Sequence, residues 1–370
     1  MAKNANLHAA KKAKNDEFYT RYEDIQAELI HYQKHFRGKV VYCNCDDPAE
    51  SNFVKFFLQV FNAWGIKKLV STCYVSSPIA GETISAFDTD PAAKRAIPYK
   101  LIVTQVEDEE LISNDRNNLI KLFQKKGNEL TALNGDGDFR SDECAGLLKQ
   151  ADIIVTNPPF SLFREYVAQL IKHKKKFVII GPRNAITTKE IFPLIKDKAI
   201  WLGYGFSGGN AYFYVEESRA NDFAEGVYDP ISGLVHFRNC LWFTNLDIPK
   251  RHQPLEIRGN KYYGNEEKYP KYDNYDAINV DKVADIPEDY DGVMGVPITF
   301  VDKYCPEQFE IVNANDYRRS EKVPAKPHGL IKDKEAKITL QCERERERER
   351  ERERTCYARI CIKRTPRSRS

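Results

Sequence analysis

The chain has 370 residues, 42% of them hydrophobic and 12% aromatic, which excludes a disordered polypeptide and allows a full α/β core with a smaller second domain. Its 57 basic and 54 acidic residues leave a formal charge of +3, which excludes a global polycation and confines any nucleic-acid contact to local patches. Nine cysteines, odd in number and without a Cys-x-x-Cys pair, point to reduced thiols of the cytoplasm; no apolar run approaches bilayer-spanning length, so no membrane partner is expected.

Lys3, Lys11, Lys12 and Lys14 all precede the first acid, Asp16, and form a basic arm that reads as a solvated tail or as a DNA-contacting segment through Lys11, Lys12 and Lys14. Val40 to Cys43 is a short apolar strand. Ser51 then caps a helix whose Phe53, Phe56, Phe57, Val60, Phe61 and Trp64 recur at three- and four-residue spacing. Lys67 to Val75 and Lys100 to Val106 are the next strands, and Asp152 to Thr156 is another. Leu162, Phe163, Tyr166, Val167, Leu170 and Ile171 predict an amphipathic helix. A second basic patch, Lys172 with Lys174, Lys175 and Lys176, separates it from the strand Phe177 to Ile180. This alternation is the βαβ pattern of a parallel sheet with crossover helices.

Beyond about Leu246 the alternation gives way to a Tyr-, Asp- and Lys-rich stretch, Lys261 to Val280, and to strand-like pieces such as Val296 to Val301. A boundary near Pro249 divides a larger domain at 1–250, which carries the basic arm, from a smaller region at 251–370. Lys337 to Cys342 and Tyr357 to Lys363 read as the strands of a hairpin. The six Glu-Arg pairs of Glu343 to Arg354 would then form its solvated, mobile turn. Such strict alternation is what a repeated GA dinucleotide encodes, either a slippage-prone tract or a neutral insertion.

In a parallel α/β sheet ligands bind beyond the carboxyl ends of the strands, where strand order reverses, so the loops after strands carry the chemistry. Asn157-Pro158-Pro159-Phe160 follows one strand directly and precedes a helix. Consecutive prolines lack N–H groups and fix φ, which holds the loop rigid with its carbonyls available to a ligand. An exocyclic amine is a poor nucleophile because its lone pair is delocalised. Two acceptors on its hydrogens, Asn157 Oδ1 and the Pro158 carbonyl, would draw the nitrogen toward tetrahedral geometry. Phe160 would stack on a flipped base. The bland alternative is a turn that ends a strand and starts a helix. Related tetrapeptides also serve transfer to RNA guanine or to protein glutamine amides, so the motif names an amine and not a polymer.

A methyl-donor site belongs on the loop after the first strand, here Cys43-Asn44-Cys45-Asp46-Asp47-Pro48, which lacks the glycines usual in nucleotide sites and reads equally as a polar turn. Gly135-Asp136-Gly137-Asp138-Phe139 is a sharper candidate: Asp138 could accept from an adenine amine while Phe139 covers the ring. It lacks the further ligands and terminal Glu of a calcium loop, and no metal is expected.

With these loops in view, the chain resembles the EcoRI-type adenine-specific DNA methyltransferases from its N-terminus to about Val312. The resemblance is carried by Asp16-Glu17-Phe18-Tyr19-Thr20, Val40 to Pro48, Gly135 to Arg140, Asn157 to Phe163 and Lys268 to Val280. It implies a Rossmann-like S-adenosylmethionine-dependent sheet with a smaller C-terminal recognition region. It also implies methyl transfer to adenine N6 in duplex DNA, and a cognate restriction endonuclease as genetic partner. By motif position, Phe18, Tyr19 and Thr20 would line the methionine end of the donor, Asn44 and Asp46 the first-strand loop, and Asp138 with Phe139 its adenine. Transfer to RNA or protein, and a non-catalytic DNA-binding homologue, remain the alternatives. The tail beyond Val312 is expected to depart from the family.

Overall fold

The computed structural model describes residues 19–74, 98–107, 112, 116–215, 223, 226–257, 259–272, 276–312 and 359–365. Lys11, Lys12, Lys14 and Phe18, the expected strand at 337–342 and the Glu-Arg tract at 343–354 lie outside the described residues. The chain forms two compact units, one comprising Met1–Arg183 with Gly203–Leu246, the other Asn184–Leu202 with Asp247–Ser370.

In chain order the first unit carries β1 (Tyr19–Thr20), α1 (Tyr22–Leu29), α2 (Gln33–Phe36), β2 (Val40–Cys43), α3 (Asn52–Trp64), β3 (Lys68–Thr72) and β4 (Tyr99–Val103). Next come α4 (Arg116–Phe123), β5 (Glu129–Ala132), α5 (Asp142–Gln150), β6 (Ile153–Thr156), α6 (Phe163–Lys172) and β7 (Lys176–Pro182). The chain then makes an excursion into the second unit, with α7 (Phe192–Lys196) and β8 (Trp201–Leu202), before returning with β9 (Ala211–Tyr214), β10 (Tyr228–Asp229), β11 (Leu234–Phe237) and β12 (Cys240–Thr244).

The main sheet of the first unit runs in the order β5-β4-β3-β2-β6-β7-β12. Its centre is parallel: β2 pairs with β3 on one side and β6 on the other, and β6 pairs with β7. The flanks are antiparallel, β3 with β4, β4 with β5, and β7 with β12. The uniform βαβ reading of the sequence is corrected here, because the Tyr99–Val103 strand returns antiparallel beside β3. The chain goes from β2 to β3 in one direction and later places β6 on the opposite side of β2. Strand order therefore reverses between β2 and β6, the position at which such sheets bind ligands.

Packing follows from the apolar spacing. Ser51 caps α3 by accepting from Phe53 N, Gly65 closes it in the left-handed region, and Phe53, Phe56, Phe57, Phe61 and Trp64 are buried. The Phe36 ring lies 5.2 Å from Phe57 and 5.6 Å from Trp64, pairs that each add about 0.5–1.5 kcal/mol beyond their burial. On α6 the buried residues are Phe163, Tyr166, Val167 and Leu170, as the spacing predicts. Phe163 packs so close to β7 that a Cβ at Gly181 would fall 2.2 Å from its ring.

The second unit holds β13 (Ile278–Asn279), β14 (Met294–Pro297), β15 (Phe309–Ile311) and β16 (Arg359–Arg364), in the order β13-β14-β16-β15. β16 pairs antiparallel with β14 on one edge and β15 on the other, while the first strand of the hairpin expected from the sequence lies outside the described residues. Ile360, Cys361 and Ile362 are all buried, so both faces of β16 are covered at its centre. Arg359 holds the tail in place by donating to the carbonyls of Val280 at 2.6 Å and Gly295 at 2.9 Å.

Candidate active site

The loops after β2, β5 and β6 converge on the switch point of the first unit. Asp46 is almost fully buried, its Oδ1 accepting from Ser51 Oγ at 2.7 Å and its Oδ2 from Thr156 Oγ1 at 2.5 Å. Its backbone is gripped as well, since Asp46 N–H donates to the Thr72 carbonyl at 3.0 Å and the Ser71 hydroxyl donates to the Asp46 carbonyl. Burial pushes the Asp46 carboxyl up to about 7, the two hydroxyl bonds pulling against it and neighbouring Asp47 adding to it. Asp47 turns the chain into α3 by accepting from Ala49 N and Glu50 N at 2.9 and 3.0 Å. Of the two residues expected to face the donor on this loop, Asp46 thus directs its carboxylate into the protein.

Asn44 behaves differently. Its Oδ1 accepts from the Tyr166 hydroxyl, while its Nδ2 is buried with no hydrogen-bond partner among the described residues. Thr20, which follows Tyr19 in β1, is 2% exposed and its Oγ1 is likewise buried and unpartnered among the described residues. Asn52 Nδ2 donates to the Thr20 carbonyl at 2.9 Å, so β1 is fastened to the first turn of α3 beside the Asp46–Ser51 loop. Buried polar atoms are nearly always hydrogen-bonded, and two unsatisfied ones on these two segments are compatible with a polar ligand such as S-adenosylmethionine.

The glycine-rich loop after β5 is fixed by backbone contact. Gly137 has φ +79, and a Cβ there would fall 1.9 Å from the Cys73 carbonyl oxygen at the end of β3. Asp138 does not stand open: its oxygens accept from Arg140 N at 2.8 Å, Nε at 2.9 Å and Nη2 at 2.6 Å. Phe139 is 5% exposed and meets the Tyr166 ring edge-on at 5.1 Å, and its carbonyl accepts from Gln169 Nε2 at 3.2 Å.

Asn157 leaves β6 at its carboxyl end and is 5% exposed; Pro158 is buried, whereas Pro159 and Phe160 are half-buried. The Pro159 carbonyl accepts from Leu162 N at 3.0 Å, which starts the 3-10 turn Phe160–Leu162 leading into α6. Phe160 thus sits at the rim of the switch point with part of its ring open. The residues missed by sequence reasoning are those that join the loops: Thr156, Ser51, Tyr166, Gln169 and Arg140. A polar Thr at the end of an otherwise apolar strand and a Tyr on an apolar helix face were the available signals.

The second basic patch lies elsewhere. Lys174 and Lys175 precede β7, at the amino edge of the sheet, and Lys175 Nζ donates to the carbonyls of Lys149 and Ala151 at 2.8 and 2.7 Å, capping the end of α5.

The profile of the adenine-specific methyltransferase EcoRI family matches residues 6–365. The match passes Val312 and includes β16, which corrects the expectation that the tail departs from the family. The chain is 49% identical over 316 residues to the type II methyltransferase M.EcoRI of Escherichia coli, covering 84% of this chain and 90% of that protein. It is 38% identical over 322 residues to the type II methyltransferase M.MpnI of Mycoplasma pneumoniae, covering 84% and 86%. It is 37% identical over 322 residues to the type II methyltransferase M.MgeORF184P of Mycoplasma genitalium, covering 84% and 87%. No solved structure gives a significant match. A Rossmann-like sheet, an Asn-Pro-Pro-Phe loop beside the Asp46 loop at its switch point, and similarity along nearly the whole chain agree: the chain belongs to the EcoRI family of adenine-specific methyltransferases.

Proposed function

We propose that this adenine-specific DNA methyltransferase methylates N6 of a flipped adenine in a short duplex DNA sequence, with Asn157 to Phe160 as its catalytic loop. The observation that carries the reading is the position of Asn157 at the carboxyl end of β6, joined through Thr156 to the Asp46 loop of β2. Asn157 Oδ1 and the Pro158 carbonyl accept hydrogen bonds from the two hydrogens of the amine and draw its nitrogen toward tetrahedral geometry. The two prolines keep both acceptors in place, so little reorganisation is needed during transfer. Phe160, half-buried at the rim, stacks on the base.

Asn44 and Thr20 supply donor-site hydrogen bonds through the atoms left unpartnered among the described residues. When bound, S-adenosylmethionine supplies a methyl group activated by its sulfonium. Asp46 acts as a positioning residue, and Phe139 with Asp138 forms the wall of the pocket facing the donor's adenine. The second unit, spanning most of the region at 251–370, selects the DNA sequence, and a cognate restriction endonuclease accompanies the enzyme in the cell. No helix among the described residues is long and apolar enough to cross a membrane.

The test is transfer from labelled S-adenosylmethionine to duplex DNA, RNA and protein in parallel, with nucleosides separated after digestion. N6-methyldeoxyadenosine from the DNA arm is expected. Label confined to RNA or protein, or DNA binding without transfer, contradicts the reading.

A further inference from the structure

The second unit contains a small open cleft whose lining includes Lys198, Trp201, Lys250, Arg251, Asp302 and Tyr304. It forms where the excursion through α7 and β8 meets two 3-10 turns, Pro249–His252 and Ile298–Lys303. No motif in the sequence announced it, because its walls come from three separate segments.

Three features give the cleft the character of an anion site. The Arg251 guanidinium lies 3.6 Å above the Trp201 ring, held there by cation–π attraction, while its ion pair to Asp247 is stretched to 4.0 Å. The Tyr304 hydroxyl oxygen is buried with no hydrogen-bond partner among the described residues. Burial pushes that phenol up to about 12, so it stays an O–H donor throughout the physiological range. Lys198 ends α7 with φ 59: its N–H donates to Ile195 O at 3.1 Å and Ala199 N–H to Leu194 O at 2.8 Å. This left-handed helix stop is one that glycine fills without strain. A lysine there costs stability and places an exposed ammonium on the wall of the cleft. Asp302 is the acid among the lining residues, with Asp247 beside Arg251 and Glu307 and Glu310 near Tyr304, set against the charges of Lys198, Lys250 and Arg251.

We propose that this cleft binds a backbone phosphate of the DNA substrate, with Lys198, Lys250 and Arg251 supplying charge and the Tyr304 hydroxyl donating a hydrogen bond. Ammonium, guanidinium and hydroxyl donors over an apolar floor match a phosphodiester, and contacts of this kind fix register and orientation without reading bases. The inference rests on the proposal that duplex DNA is the substrate.

The test measures binding of a fluorescent duplex carrying the methylation site over a range of salt concentrations. It uses the full-length wild type, Lys198→Gly, Lys198→Arg and the Lys198→Gly/Lys250→Ala double variant. Losing one phosphate contact lowers the slope of log affinity against log salt by about 0.9 in the double variant. Lys198→Gly weakens binding yet melts no lower than wild type, and Lys198→Arg retains the affinity. An unchanged slope and affinity in the double variant, with the wild type still methylating DNA, overturns this inference alone. So does a lower melting temperature for Lys198→Gly without loss of affinity. A wild type that neither binds nor methylates duplex DNA overturns the functional reading and this inference together.

Discussion

Thr156 Oγ1 donates to Asp46 Oδ2 at 2.5 Å, closing the gap between two strand ends that stand 110 residues apart in sequence. Thr156 is immediately followed by Asn157, and Asp46 closes the loop that begins with Asn44. The bond therefore sets the distance between the proposed amine site and the proposed donor site.

Replacing Thr156 with Val keeps the shape and removes that bond. Leaving one oxygen of a buried carboxyl unsatisfied costs about 1–3 kcal/mol, so the melting temperature falls. Because the bond also positions Asn157, methyl transfer slows while affinity for DNA holds. Thr156→Ser restores both. Thermal melts and single-turnover rates measure the two effects, and a Val variant with full activity and stability would remove the bond from the account.

The Asp46 carboxyl gives the fold a pH dependence of known sign. Its folded pKa, about 7, lies above the ordinary carboxylate value of 3.8, so between these limits the folded state binds more protons than the unfolded chain. The contribution of Asp46 is fully present below about pH 4 and is lost as pH rises through 7. Asp46→Asn removes this component: urea unfolding at pH 5 and pH 8 gives a smaller difference for the variant than for wild type.

Tyr166 ties Asn44 to α6 and covers the edge of Phe139. Tyr166→Phe keeps the ring and deletes the hydroxyl, freeing the Asn44 carboxamide to rotate. Affinity for S-adenosylmethionine then falls about tenfold, the equivalent of roughly 1.4 kcal/mol, with DNA affinity unchanged. Titration calorimetry reads this directly.

Gly137→Ala tests the loop after β5. The residue is in the left-handed region, and its Cβ would overlap the Cys73 carbonyl oxygen. The loop must move away from β3, carrying Asp138 and Phe139 with it. Donor binding is lost, whereas Gly135→Ala, whose Cβ meets nothing within 4 Å, is tolerated.

What the sequence made legible was local. The cap at Ser51, the buried stripe of α3, the stripe of α6 and the placement of Asn157 after a strand all follow from spacing and capping chemistry, and all are present. Strand direction was not legible at Tyr99–Val103, because alternation of strands and helices cannot distinguish an antiparallel return from a crossover. Nor was the place of β16 between β14 and β15 legible, because a strand's own residues do not name its pairing partners. The hydroxyls of Ser51 and Thr156 on the two oxygens of Asp46 were not legible either, because no spacing brings residues 110 positions apart together.

The central claim is that Asn157 holds the adenine amine for transfer. It is tested most directly by single-turnover methylation of a short duplex by Asn157→Ala, with DNA affinity and the melting temperature measured on the same preparation. The account predicts that the rate of N6-methyladenine formation falls by about 10²-fold or more while affinity and melting stay close to wild type. A variant that folds, binds and methylates at the wild-type rate would contradict it.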